Sequence, residues 1–161
     1  MGEGLRRAWA AYKKYKLVTR IIAGFVGAIV GIAGCVAFAK VYKNYNAAIW
    51  AALSAVFAIL FLHLHFAVRR DHERVIPRLK FTVISFVGMS GFIAAIIGFI
   101  VNIALGIRSR ESGVRTDGYF IVCVWIFLTF KWGLLTFLAS RKFRKIYYEL
   151  DPQSSGLVQT A

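Results

Sequence analysis

Three ionisable side chains lie within otherwise apolar stretches of this 161-residue sequence, namely His63, His65 and Lys131. An ionisable group near the centre of a bilayer costs at least about 2.5–3.5 kcal/mol, so each requires a physical reason. The two histidines are about 200° apart around a helix, so they cannot both ligate one small ion. We therefore predict no compact zinc site, which needs three or four convergent ligands. One histidine can face a helix bundle while the other faces lipid, and a hydrogen bond between helices is the plainer alternative.

Lys131 lies between Phe130 and Trp132, in the middle of its apolar segment. A lysine can extend its stem to the membrane surface, but about ten residues separate Lys131 from the basic end of this segment. No Asp or Glu occurs within any of the long apolar segments, so an internal carboxylate partner is absent from them. An inward-facing Lys131 would therefore meet a ligand that carries an acidic group.

Four apolar segments would position the histidines and the lysine. Each segment has about 20 residues or more, which is the length that a membrane-spanning helix needs. Hydrophobic residues make up 59% of the chain, against roughly 45–50% in soluble domains, which excludes a water-soluble globule. We predict an all-α membrane protein with four transmembrane helices and no evident internal repeat. A basic amphipathic segment, 1–20, precedes the membrane domain, 21–140, and a tail, 141–161, follows it. The predicted spans are 21–39, 47–68, 81–107 and 119–140.

Lysine and arginine are distributed unevenly between the two sides of the predicted membrane domain. Fifteen of them lie in the N-terminal segment, the second loop and the tail, against five in the first and third loops. Because cytosolic loops are enriched in these residues, both termini are predicted to be cytosolic. The net charge of +14 then belongs at a lipid surface, and we expect no nucleic-acid partner. The sequence has no phosphate-binding loop and no metal-ligand spacing, so we expect no enzymatic activity.

The run from Val124 to Trp132, followed by Arg141-Lys142-Phe143, resembles the haem-responsive-gene haem transporters, solute carrier family 48. These are small four-span permeases with cytosolic termini, and the likeness covers all four spans in order and spacing. The resemblance implies transport of haem from the exoplasmic or endolysosomal side into the cytosol. Haem would be the transported substrate, and no cofactor is implied.

The resemblance also implies roles for individual residues. It places an iron ligand at His63 or His65 and leaves Tyr119 as the candidate ligand on the exoplasmic side. An exit motif falls at Ala139-Ser140-Arg141-Lys142-Phe143, where Phe143 replaces a tyrosine and so lacks its oxygen. The candidate contacts for the haem propionates are Lys131, Arg141, Lys142, Arg108, Arg110 and Arg115.

Two features of the sequence bear on location and assembly. Tyr147 and Leu150 fit a Tyr-x-x-apolar sorting pattern, while the family includes both plasma-membrane importers and endolysosomal exporters. Four helices leave little room for a porphyrin, so we expect a homo-oligomer in the lipid bilayer. Two alternatives remain: a non-transporting tetraspan scaffold or accessory subunit, and a proton or cation channel gated by the histidines.

Overall fold

The computed structural model describes residues 3–70 and 78–149, with side chains over 17–67 and 79–144. These residues form four helices and no strand, and every helix is long and apolar enough to cross a membrane. The predicted all-helical, four-span fold is therefore confirmed, whereas the cytosolic placement of the termini stays a prediction. The helices are α1 (Glu3–Lys40), α2 (Tyr45–Arg70), α3 (Arg78–Arg108) and α4 (Tyr119–Glu149).

Helix α1 is much longer than a membrane crossing requires. Its 38 residues extend over about 57 Å at about 1.5 Å per residue, against a hydrocarbon layer of about 30 Å. The basic segment 1–20 is thus helical from Glu3 and continues into the first span without a break. The side chains of Leu5, Trp9, Tyr12 and Lys16, on which the amphipathic interpretation depends, lie outside the described residues.

The helices pack in the spatial order α1, α2, α4, α3, so α2 and α4 form the centre of the bundle. Between α1 and α2 the backbones approach closely, because a Cβ atom added to Gly31 would lie 2.8 Å from the Ala55 side chain. Hydroxyl groups join the two central helices: Thr129 Oγ1 donates to Trp50 O at 3.0 Å, and Thr136 Oγ1 to Phe57 O at 3.3 Å. Such bonds hold helices together where apolar burial cannot, since lipid tails are as apolar as the helices.

Two tryptophans of α4 fill the space above two glycines of α1. Trp132 covers Gly27 and Trp125 covers Gly34, and neither glycine has room for a Cβ atom. The glycines are two helical turns apart, about seven residues, and so are the tryptophans. The first and fourth helices therefore meet through large side chains seated on bare backbone.

Helices α3 and α2 repeat this arrangement. Phe57 covers Gly91 and Trp50 covers Gly98, again without room for a Cβ atom at either glycine. The two glycines and the two aromatic residues are once more separated by two turns. Beside the central α2–α4 interface, the hairpin α1–α2 and the hairpin α3–α4 therefore meet through the same kind of glycine–aromatic contact at two places. The sequence does not predict these pairs, because the paired residues form no recognisable sequence motif.

Candidate ligand cleft between α1, α2 and α4

A cleft of about 200 Å³ opens between α1, α2 and α4 at the end of the bundle where α4 finishes. We call this the basic end, and the opposite end, formed by residues 41–44 and 109–118, the loop end. Three cations line the cleft: Arg20 from α1, and Lys131 and Lys142 from α4. None of the described residues that line it is an Asp or a Glu. The cleft is therefore suited electrostatically to an anion.

The walls of the cleft are apolar and partly aromatic. Phe61 of α2 and Trp132 of α4 supply two rings, and Leu135 and Leu138 supply aliphatic surface. Trp132 is almost completely buried because it is wedged against α1. A cation-lined cleft with flat apolar walls is suited to a planar apolar molecule that carries acidic groups.

The periodicity of α4 explains why its cleft residues share one face. Lys131, Leu135, Leu138 and Lys142 recur at intervals of about three to four residues, which places them on one side of a helix. Lys131 is exposed, and its Nζ lies 5.0 Å from the centroid of the Trp132 ring. A cation at this distance from an indole face is attracted by the ring quadrupole. The sequence-predicted intramembrane lysine thus lies beside the cleft's aromatic wall.

Arg20 was missed as a site residue by sequence reasoning, which counted it only as a membrane-flanking cation. It precedes the apolar segment directly and ends a run of basic residues, so its type and neighbours are ordinary for a helix entering a membrane. Its place beside Lys131 and Lys142 depends on how α1 crosses α4. No local signal in the sequence carries that information.

His65 is completely buried, next to the cleft wall. Its Nδ1 lies 2.8 Å from Phe61 O. Because a carbonyl oxygen only accepts, Nδ1 carries the hydrogen and Nε2 presents a lone pair. Among the described residues, Nε2 has no hydrogen-bond partner. This contact favours the tautomer with the hydrogen on Nδ1, which leaves Nε2 available to a ligand or a metal.

His63 lies on a different face of α2. It is exposed, together with Val56, Ile59 and Phe66, which follow one side of the helix. This is the arrangement of a lipid-facing stripe, because exposed apolar residues at helical spacing suit a hydrocarbon solvent. The structure thus separates the two histidines, with His65 inside the bundle and His63 outside.

The predicted exit motif divides between two faces of α4. Ala139 and Lys142 line the cleft, and Ser140 is completely buried. Arg141 is exposed, and its guanidinium carbon lies 5.5 Å from the centroid of the Phe137 ring, away from the cleft lining. The motif therefore contributes one cation to the cleft and one to the surface.

Phe143, the last residue of that motif, packs against the second-span histidine. Its ring centroid is 5.2 Å from that of His65 in an edge-on arrangement, and the Phe61 ring lies 4.2 Å away on the same histidine. The structure thus brings together a histidine of α2 and the end of the exit motif. Two phenyl rings cover the imidazole.

The remaining predicted contacts are at the loop end. Arg108 and Arg110 are exposed, and Arg115 pairs with Asp117 at 3.1 Å. The backbone N–H of Tyr119 donates to Glu111 Oε2 at 2.8 Å, and the residue lines a second cleft between the two loops. None of these residues lines the basic-end cleft.

The sorting-signal candidate cannot be placed. Leu150 lies outside the described residues, and the side chain of Tyr147 does too. The Tyr-x-x-apolar interpretation therefore stays a prediction from the sequence.

The chain is similar to a curated protein. The chain is 28% identical to the heme transporter hrg-1 of Caenorhabditis elegans over 142 residues, which cover 86% of this chain and 73% of the relative. This similarity supports the haem-responsive-gene resemblance. No family model matches the chain, and no solved structure matches it. The match extends over most of the chain, so the resemblance to haem-responsive-gene transporters is not confined to the fourth span.

Proposed function

We propose that this protein is a transmembrane haem transporter that moves haem from the exoplasmic or endolysosomal side into the cytosol. The observation that carries the proposal is the cleft in which Arg20, Lys131 and Lys142 surround aromatic walls, with no carboxylate among the described residues that line it. Its chemistry fits a planar apolar ring with two propionates. The similarity to a heme transporter supports haem as the substrate.

Haem presents an apolar ring and two acidic propionates, and different residues of the cleft suit each of them. Phe61 and Trp132 contribute the aromatic part of an apolar wall that suits the porphyrin ring. Lys131, Lys142 and Arg20 neutralise the propionates, which would otherwise be costly to place next to hydrocarbon. Each contact must also release its ligand, since tight binding at one site stalls conduction.

We assign His65 rather than His63 as the iron ligand of the second span. Its Nδ1–H donates to a backbone carbonyl, and that hydrogen bond orients metal-ligating histidines and raises their basicity. Phe61 belongs both to the cleft wall and to the cover of His65. Movement of the Phe61 ring would therefore change both the cleft wall and the cover of the imidazole.

The exposed arginines act at the two surfaces in this scheme. Arg108, Arg110 and Arg115 attract the propionates at the loop end, and Arg141 meets them at the surface of the basic end, outside the cleft lining. Under the predicted orientation the basic end faces the cytosol, so the cleft is the release side. The protein would act in the membrane of an endosome, a lysosome or the cell surface, as a transporter and not as an enzyme.

We further propose that the active form is a homo-oligomer. Helix α3 is the least buried span, with Val83, Phe86 and Ile100 among its exposed residues. A second copy could cover this surface and help to enclose a porphyrin. The mass of the active protein in detergent would measure this directly, and a strictly monomeric active protein would contradict it.

Growth of a haem-requiring cell at limiting haem tests the proposed function. Expression of the wild-type chain should rescue growth, and the double variant Lys131→Ala/Lys142→Ala should lose most of the rescue. The matched control is Lys80→Ala/Arg144→Ala, which removes two exposed cations without touching the cleft lining. Equal rescue by both double variants would remove the cleft from the mechanism. No rescue by the well-expressed wild type would favour the scaffold alternative.

A further inference from the structure

The cleft at the basic end is a groove on the outside of the bundle. Its floor is formed by buried residues of the two central helices, namely Phe61, Trp132 and Ala139. Its rims are exposed, with Ala23 on α1 and Leu138 on α4. Both rims belong to the membrane-crossing parts of their helices. The groove therefore opens sideways, toward the hydrocarbon layer.

Lys131 lies on the same outward side of α4, deep in the membrane. Phe127 and Leu138 are both more than half exposed, and helical spacing places them on one face with Lys131. Lys131 is near the middle of the span Tyr119–Arg144, about 18 Å from each end at about 1.5 Å per residue. A charge at this depth costs at least about 2.5–3.5 kcal/mol. Since no carboxylate is among the described residues that line the groove, it presents an unneutralised cation to the lipid side.

Side chains fill the interface between the two central helices. Ile126, Thr129 and Thr136 of α4 are completely buried there, and so is Ala58 of α2. The hydroxyl groups of both threonines donate to carbonyl oxygens of α2, which holds the two backbones close together. Because helices in such contact have axes about 8–10 Å apart, their interface has no room for a ring as wide as a porphyrin. A porphyrin therefore fits the outward groove better than the centre of the bundle.

We propose that haem travels along the boundary between protein and lipid, with its ring in the hydrocarbon layer and its propionates on the cations of the groove. Haem enters sideways between Ala23 and Leu138, and Lys131 is the cation that it meets at mid-depth. Lys142 and Arg20 then hold the propionates at the basic end. The inference rests on the proposed function, because it takes haem as the substrate. It adds the route, and it makes haem dissolved in the membrane the form that the protein accepts.

This route leaves each part of haem in a medium that suits it. The apolar ring needs no protein cover within hydrocarbon, since lipid tails are as apolar as the side chains of a helix interface. The propionates are costly in that medium when they are alone. Pairing with Lys131 offsets the cost for both partners, because opposite charges attract strongly at low dielectric constant. A narrow bundle of four helices can then carry a bulky substrate without enclosing it.

Fluorescence of protoporphyrin IX, the iron-free porphyrin, tests whether the bound ring touches lipid. The purified full chain is placed in nanodiscs, and part of the lipid carries bromine at the middle of its acyl chains, where bromine quenches on contact. Slow anisotropy decay distinguishes porphyrin held by the protein from porphyrin dissolved in lipid, and this slow population should be absent with Lys131→Ala/Lys142→Ala. In the wild type, brominated lipid should remove most of the emission of the slow population. Emission that bromine leaves unchanged would show that protein encloses the ring, as an enclosing homo-oligomer would, and would overturn the inference.

Haem uptake into liposomes tests the sideways opening with matched variants. Ala23→Trp fills the α1 rim of the groove and should slow uptake about tenfold, equivalent to about 1.4 kcal/mol. Ala33→Trp, at another exposed alanine of α1 outside the groove lining, should keep the wild-type rate. If Ala23→Trp does not fold, Leu138→Trp fills the α4 rim instead, with the exposed Val124→Trp as its control. Equal rates for a folded rim variant and its control would overturn the sideways route.

The outcomes separate this inference from the proposed function. A wild-type chain that transports haem without quenching by brominated lipid keeps the proposed function and loses the route. A wild-type chain that transports no haem overturns the proposed function itself. Quenching together with slow uptake by the rim variant supports both.

Discussion

The two ends of the bundle use polar residues in opposite ways. At the loop end, side chains bond to each other and to backbone: Asn46 Nδ2 donates to Asn102 Oδ1 at 2.9 Å, and Asn44 joins both loops. At the basic end, Lys131 and Lys142 line an open cleft, with no ion pair among the described residues. Polar groups within a membrane are energetically costly. Those that bond to other protein groups therefore contribute to the stability of the bundle, whereas those that lack a protein partner suggest a ligand. Removal of the lysine charges should therefore impair haem binding at the basic end. Removal of the asparagine amides should lower the stability of the loop end.

The largest effect is expected from charge reversal at the basic end. Each charged contact to a propionate is worth about 1.5–3 kcal/mol, so Lys131→Glu/Lys142→Glu should weaken hemin binding there about 100-fold or more. The measurement is a hemin titration in nanodiscs at constant salt. Lys80→Glu/Arg144→Glu makes the same change in net charge outside the cleft and should keep wild-type affinity. If both double variants weaken binding equally, the effect is one of overall charge and the cleft is not the site.

The next effect is expected at the histidine beside the cleft. His65→Leu fills much of the same volume but has no lone pair, so the histidine-ligated Soret signature should disappear and affinity should fall about tenfold, equivalent to about 1.4 kcal/mol. His63→Leu, on the exposed face of the same helix, should keep the signature. The reverse result would move the iron ligand to the lipid-facing side and exclude the assignment made from burial.

These two tests concern Lys131, Lys142 and His65, whose places in the bundle the sequence predicts only in part. Hydropathy predicts the four helices because the length of an apolar segment is a local property. Lys131 is equally visible, since it interrupts such a segment. The choice between His63 and His65 requires the position of the neighbouring helices. The helical period of about 3.6 residues places the two side chains on different faces, but it does not determine which face is buried.

The glycine–aromatic contacts between the hairpins are harder still to predict from the sequence. The pairs Gly27–Trp132 and Gly91–Phe57 join helices that are distant along the chain. The glycines of α1 recur every three or four residues, a spacing that is typical of a helix packing face. Their partners cannot be predicted in this way, because a tryptophan in an apolar segment has the same local appearance whether it faces lipid or a glycine. Arg20 was overlooked for the same reason, since its partners are on α4.

A moderate effect on stability is expected at the loop end. Asn44→Ala removes the cap of α2 and both bonds to the other loop, and loss of a cap alone costs about 0.5–2 kcal/mol. Thermal unfolding in detergent should therefore begin at a lower temperature. Ser112→Ala, an exposed change in the third loop, is the control and should unfold as the wild type does. An unfolding curve for Asn44→Ala that overlays the wild type would show that the cross-link contributes nothing.

The smallest effect is expected from the ion pair on the loop-end surface. Arg115 and Asp117 are bonded at 3.1 Å but both are mostly exposed, and such pairs contribute about 0–1 kcal/mol. Arg115→Ala should change the free energy of unfolding by less than about 1 kcal/mol, and raised salt should diminish the difference further. A loss as large as that of Asn44→Ala would mean that this pair, rather than the amide cross-link, holds the loop end.

The central claim is that the protein carries haem across a membrane. Its most direct test is haem accumulation in liposomes that contain the purified chain and enclose an apo-haem-binding protein as an optical trap. The account predicts a time-dependent Soret band of the trapped protein when hemin is added outside, and a much slower one with Lys131→Ala/Lys142→Ala. If liposomes with correctly folded wild-type chain load haem no faster than empty liposomes, the protein is not a haem transporter.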